Sequence, residues 1–142
     1  MKDKVFFDTN IICYAFDSSE PSKRKICEKL IESVYAEDVL GTISNQVLVE
    51  TYNVLTRKFG IPLERAKEIM KSLTISEHWY RINYTTNTIN RAMDNSDRFQ
   101  VPFLDLLIVE TMKENFITEI ITENERDFEK IPGIKVTNPF KP

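Results

Sequence analysis

The stretch Val5-Phe6-Phe7-Asp8-Thr9-Asn10-Ile11-Ile12 constrains this chain more than any other. Its three apolar residues, two of them aromatic, read as a short strand buried on both faces. A carboxylate follows at once, and then a second apolar run that starts a helix near Ile11. In an open parallel sheet covered by helices, the carboxyl ends of the strands open into the crevice where ligands bind. Asp8 then lies on the floor of that crevice. The competing reading gives Asp8 only the work of an N-cap, accepting backbone N–H bonds at the start of the helix. The stretch by itself leaves the two readings even.

The order of elements favours the layered fold. Asp17-Ser18-Ser19-Glu20-Pro21 is a turn that opens a helix, with Pro21 at its first position and Ile26, Cys27, Leu30, Ile31 and Val34 on an inward face. Val39–Ile43 reads as a second strand, and Ser44 caps a helix from Asn45 to Lys58 whose inward stripe is Leu48, Thr51, Tyr52 and Leu55. A further helix begins at Pro62, and Trp79–Ile82 is the weakest strand signal. The spacing predicts a helix over Thr86–Arg98 carrying Ile89, Ala92 and Met93. A strongly apolar helix then follows Val101-Pro102, with Leu104, Leu107, Ile108 and Thr111 on one side. Thr118–Thr122 and Ile134–Val136 are the last strands, with a short helix from Glu123 to Phe128 between them. Alternating strands and helices, with no repeat or linker, predict one α/β domain over residues 1–142: an α/β/α sandwich around a mostly parallel sheet.

Scarcity narrows the chemistry. The single histidine, His78, leaves nothing from which to build a histidine–zinc cluster or a Ser-His-Asp triad. Only three glycines are present, at 41, 60 and 133, so neither a Gly-rich phosphate loop nor a dinucleotide fingerprint exists. Cys13 and Cys27 have no metal-ligand or disulfide spacing. The N-terminal residues lack a secretory pattern and no apolar run approaches the ~20 residues of a membrane span, which predicts a cytoplasmic protein. Net charge is −3, so contact with nucleic acid has to come from local basic groups. Lys23–Lys25 and Arg57-Lys58 are candidates, although such groups are more often solvated helix faces. Chemistry, if any, falls to carboxylates.

Those carboxylates have places to meet. Asp8 and the pair Asn124/Asp127 follow strands at their carboxyl ends. Glu50 borders the inward stripe of its helix, and Asp105 lies in a first helical turn. Each also has an ordinary explanation: a border glutamate is usually solvated, and a first-turn aspartate is favoured by the helix dipole. Together they form a problem that needs a cation. Two carboxylates about 4 Å apart repel by roughly 4 kcal/mol at an effective dielectric near 20. They then either take up protons or hold a hard divalent ion. A few carboxylates with retained waters suit Mg²⁺, with Mn²⁺ as a substitute. Such an ion supports in-line displacement at phosphorus.

The segments Phe7-Asp8-Thr9-Asn10-Ile11, Ile43–Glu50, Leu104–Ile108 and Ile121–Phe128 resemble, in order, the four motifs of the PIN-domain family, and within it the VapC-type toxins. The resemblance spans nearly the whole chain. It implies an α/β/α sandwich, a Mg²⁺- or Mn²⁺-dependent endoribonuclease acting on RNA, a cognate antitoxin protein as inhibitor, and a homodimer. By motif position it makes Asp8 and Asp105 metal ligands and Glu50 a third acid acting on the metal or its water, with Thr9 as an accessory. The fourth position, often an aspartate, falls here on Asn124, with Asp127 three residues further as an alternative. Arg57, Arg98 and Arg126 are the expected RNA contacts. Arg57 is placed by its seven-residue spacing from Glu50, two helical turns along one face.

Two other classes compete with the ribonuclease. A PIN-like RNA- or protein-binding module with weakened catalysis is supported by Asn124. A receiver-type signalling domain would want adjacent acids after the first strand, where this chain has Phe7-Asp8-Thr9.

Overall fold

The computed structural model describes residues 2–142, so only Met1 of the charged N-terminal stretch lies outside it. Five strands are present among the described residues: β1 (Lys4–Phe7), β2 (Leu40–Ser44), β3 (Tyr80–Ile82), β4 (Glu119–Ile121) and β5 (Lys135–Thr137). All pair in parallel, in the order β3-β2-β1-β4-β5. The helices are α1 (Thr9–Tyr14), α2 (Pro21–Tyr35), α3 (Asn45–Asn53), α4 (Leu63–Thr74), α5 (Thr86–Phe99), α6 (Phe103–Glu114) and α7 (Glu125–Phe128). The architecture is an α/β/α sandwich whose sheet is wholly parallel.

Parallel strands need crossover connections, and these are right-handed. From β1 to β2 to β3 the chain steps one way along the sheet, which puts α1–α4 over one face. From β3 it returns past β1 to β4, which puts the paired helices α5 and α6 over the other. The direction reverses between β1 and β4, so a crevice opens there at the carboxyl ends of the strands. Phe6 and Phe7 are both fully buried, as a strand covered on both faces requires. A receiver-type fold has the order 2-1-3-4-5; here β1 lies between β2 and β4, which removes that reading.

Local sequence accounts for the boundaries. The Ser44 hydroxyl accepts the Val47 N–H at 3.2 Å and starts α3 as expected. Thr85 and Thr88 exchange bonds in a capping box at the start of α5, and Gln100 ends that helix in the left-handed region with φ 56°. The helix expected to run unbroken from Asn45 to Lys58 instead changes at Val54 into a π-helical turn, Val54–Lys58. The Thr56 hydroxyl donates to the Tyr52 carbonyl at 2.8 Å, and the Phe59 N–H reaches five residues back to the Val54 carbonyl at 3.0 Å. A threonine hydroxyl that takes the carbonyl four residues earlier competes with the backbone ladder, and the turn widens around it.

Three positions read as inward are turned out. Met93 and Leu104 are each 52% exposed, and Ile26 is 36% exposed. On α5 the buried seam runs through Thr88 and Ala92, which leaves Met93 on its solvent side. On α2 the seam runs through Cys27 and Val34, with Ile26 at its edge. Leu104 precedes the buried run Leu106–Met112 and stands at the rim.

Gly41, the second residue of β2, shows how closely the layers approach. A Cβ built there would lie 2.7 Å from the Trp79 ring and 2.8 Å from Val34. Trp79 in turn packs edge-on against Phe7, with ring centroids 5.1 Å apart. Gly41→Ala should therefore cost about 1–3 kcal/mol through overpacking, read as a lower midpoint in urea with an unchanged slope.

Candidate active site

Asp8 directly follows β1 at the reversal point and is 6% exposed. Its Oδ1 accepts the Thr9 N–H at 2.8 Å, so part of the capping reading holds. Its Oδ2, however, accepts the Thr122 hydroxyl at 2.7 Å and the Asn10 Nδ2 at 3.2 Å, bonds that a simple cap does not need. Burial pushes the Asp8 carboxyl above its ordinary range and the Glu50 charge adds to this, against the pull of the three donors.

Glu50 reaches the same place from α3. Its Oε1 accepts the Thr9 hydroxyl at 2.7 Å, while its Oε2 lies 3.4 Å from Gln46 Nε2. The same Gln46 nitrogen donates to the Leu104 carbonyl at 3.0 Å, which ties α3 to the first turn of α6. Asp105 sits in that turn. Burial, then the charges of Asp8, Asp127 and Glu50, push its carboxyl up to about 7, with the Asn124 amide opposing. Asn124 Nδ2 lies between two acids, donating to Asp105 Oδ2 at 3.2 Å and to Asp127 Oδ2 at 3.1 Å. Its own N–H donates to the Thr122 hydroxyl at 3.0 Å, so one threonine links Asp8 to the fourth motif.

Some of these groups border a cleft of about 300 Å³. Asp8, Thr9, Asn10, Asp105 and Asn124 are its acidic and polar lining, and Cys13, Tyr14, Val54 and Phe59 add apolar surface. Asp127 is set back from the cleft and faces Lys130 at 3.8 Å. Among the described residues, no lysine, arginine or histidine nitrogen lies within 4.0 Å of the carboxylates of Asp8, Glu50 or Asp105. Nor do three acid, histidine or cysteine side chains among them already close around one point. A charge-rich, cation-free and open donor set suits a hydrated hard ion, which keeps several waters, better than a fully caged one.

The three arginines expected to touch substrate lie outside this constellation. Arg57, Arg98 and Arg126 are all exposed, none lines the cleft, and the Arg98 guanidinium rests 5.2 Å from the Phe99 ring centroid. Lys58 lines the cleft instead. Asn10, Thr122 and Gln46 had no assigned role in the sequence. Asn10 had a detectable signal, being two residues from Asp8, a spacing at which side chains bond locally. Thr122 reaches Asp8, and Gln46 reaches the Leu104 carbonyl, across more than fifty residues of sequence, which no local pattern reveals.

Comparison with known proteins identifies the family and the fold. The PIN domain family model matches residues 5–134. A toxin–antitoxin complex from Klebsiella pneumoniae superposes with a TM-score of 0.67 at 23% identity, over 97% of this chain and 99% of that one. The sarcin–ricin-loop-cleaving toxin VapC20 of Mycobacterium tuberculosis gives 0.67 at 19% identity, over 82% and 87%. DNA-bound VapBC from Salmonella typhimurium gives 0.67 at 18% identity, over 96% and 98%. No curated protein matches the chain. With the family model matched over most of its length and the same fold in these solved structures, the chain belongs to the PIN domain family.

Proposed function

We propose that this protein is a divalent-metal-dependent endoribonuclease and the toxin of a toxin–antitoxin pair. The observation that carries the reading is that Asp8 and Asp105 line one cleft, with Glu50 bonded to the cleft residue Thr9, and that among the described residues no cationic nitrogen lies within 4.0 Å of the three carboxylates. Uncompensated charge of this kind is costly unless it serves a ligand. Asp8 and Asp105 are the groups that would hold Mg²⁺ or Mn²⁺. When bound, such an ion supplies a nucleophile at neutral pH and charge stabilisation at phosphorus.

The chain's own residues set the rest. Thr122, Asn10 and the Thr9 N–H fix the Asp8 carboxylate, so its orientation does not have to be found during turnover. Thr9 holds one oxygen of Glu50, and the other, only loosely engaged by Gln46, is left to take a proton from an attacking water. Asn124 brings a neutral donor where a fourth acid would add charge, which supports one firmly held ion and a second that relies on substrate phosphate. Arg98 and Arg126 belong to the outer path of a longer RNA strand. A cognate antitoxin, a homodimeric assembly and a cytoplasmic setting complete the reading; the toxin–antitoxin complexes among the solved structures of like fold support the first. No helix among the described residues is long and apolar enough to cross a membrane. Asn124 also favours a second reading, an RNA- or protein-binding PIN module with weak catalysis.

Cleavage of RNA in Mg²⁺ separates the two. Asp8→Asn should reduce the cleavage rate by at least about 100-fold, since even an outer partner of a metal ligand is worth 10–100-fold. Its circular dichroism should remain that of the wild type. A wild-type protein that binds RNA without cleaving it in either Mg²⁺ or Mn²⁺ supports the binding module.

Asp105 gives a pH signature. Its carboxyl titrates near 7 in the folded metal-free protein, against 3.8 as the ordinary value. Between these pH values the native state holds more protons than the unfolded one, so metal-free stability falls as pH rises from about 4 to about 7 and then levels. Asp105→Asn should flatten this fall, and Mg²⁺ should raise the wild-type Tm more at pH 8 than at pH 5.5. Thermal melts at both values check the sign.

The fourth position is tested by exchange. Asn124→Asp should lower the Mn²⁺ concentration needed for half-maximal cleavage, and Asp127→Ala should cost far less activity than Asp8→Asn. Loss of activity in Asp127→Ala, with no change in Asn124→Asp, would make Asp127 the fourth acid.

A further inference from the structure

The π-helical turn has a consequence for substrate binding that follows from counting residues. In a regular α-helix, a residue seven positions after Glu50 lies almost two turns along the same face. That position is Arg57. A π turn takes up one additional residue, so beyond Val54 every side chain is carried back by one position. The face two turns along from Glu50 then belongs to the eighth residue, Lys58. The cleft reflects this shift: Val54, Lys58 and Phe59 line it, and Arg57 does not.

Among the described residues Lys58 is the one cationic residue lining the cleft, which Asp8 and Asp105 also line. Its ammonium makes no ion pair within 4.0 Å and no hydrogen bond among the described residues, so its charge is uncommitted. Asp17, the nearby acid of the lining, turns its Oδ1 into its own loop, accepting the Ser19 N–H at 3.0 Å and the Ser19 hydroxyl at 2.6 Å. Beyond Lys58 the surface continues into a second depression of about 250 Å³. Asp17, Lys58 and Phe59 border both hollows, so Lys58 stands at the waist of one continuous groove. A groove that leads out of an acidic cleft past a lysine with no ion pair among the described residues fits a polyanionic strand better than a compact molecule. The turn itself is well anchored: Leu55 is fully buried with Ala66 and Ile69, and Phe59 packs against that cluster.

We propose that Lys58, brought into the groove by the π turn, is the contact for the RNA phosphate next to the one that is cleaved. This rests on the ribonuclease reading. Holding the flanking phosphate fixes the register of the strand over Asp8 and Asp105, and it draws a polyanion toward a site whose other charges repel it. Because a flanking phosphate is contacted alike before and during reaction, the contact should act on KM rather than kcat.

The test measures binding and cleavage separately. A fluorescein-labelled single-stranded RNA oligonucleotide is titrated in Ca²⁺ by fluorescence anisotropy over a series of KCl concentrations, and cleavage is followed in Mg²⁺. Lys58→Ala should reduce the slope of log K against log[KCl] by about 0.7, the release expected from one single-strand phosphate contact. It should also raise KM while kcat stays near the wild-type value. Lys58→Arg should keep the wild-type slope, and Arg57→Ala should leave it unchanged. A wild-type slope in Lys58→Ala, or the loss appearing in Arg57→Ala, overturns the assignment while the ribonuclease reading stands on wild-type cleavage. Absence of both binding and cleavage in the wild type overturns the two together.

Discussion

Electrostatic repulsion among Asp8, Glu50 and Asp105 is the constraint on which the site depends. The fold brings these acids near enough to feel one another's charge at the carboxyl end of the sheet, where the crossovers change direction between β1 and β4. Removal from water raises the cost, and the carboxyls of Asp8 and Asp105 respond by holding their protons more tightly. A structure can relieve such strain with a lysine or an arginine in the cluster. Among the described residues no cationic nitrogen comes within 4.0 Å of these carboxylates, so the strain is left in place.

What the protein supplies instead are neutral donors. Thr9, Asn10, Thr122 and Asn124 all direct hydroxyl or amide hydrogens at the carboxylates. Each bond orients an oxygen without cancelling its charge, so the donors hold geometry while the net negative field survives. Thr122 also accepts the Asn124 N–H, which couples the end of β4 to the end of β1 through a single hydroxyl. The C-terminal segment braces the same region from outside: Asn138 Nδ2 and Lys141 Nζ each reach Glu125 Oε1 at 2.8 Å, at the start of α7.

The rest of the lining follows a different logic. Tyr14, Val54 and Phe59 bring apolar surface to the cleft, and the π turn decides which basic residue joins them. Its cause is local, since the Thr56 hydroxyl competes for the Tyr52 carbonyl. Its effect is to exchange Arg57 for Lys58 in the groove. A change of one residue in helical register is enough to reassign a side chain from solvent to site.

Much of this was legible in the sequence because its causes are local or periodic. The apolar triplet before Asp8, the Ser44 cap and the alternation of strands with helices dictate the layered α/β fold. Asp8 and Asn124 are placed by following strands, whatever the rest of the chain does. The lack of usable histidine and glycine motifs directs the chemistry to carboxylates. Tertiary structure decided the remainder. Glu50 and Asp105 are legible only as border and first-turn acids, because the partner that draws each inward, Thr9 or Asn124, lies far along the chain. Met93 and Leu104 read as inward, since periodicity gives a helix a face but not its rotation against its neighbours. Arg57 was placed by a 3.6-residue period that the chain abandons at Val54, where a hydroxyl–carbonyl bond, not hydrophobic pattern, sets the turn.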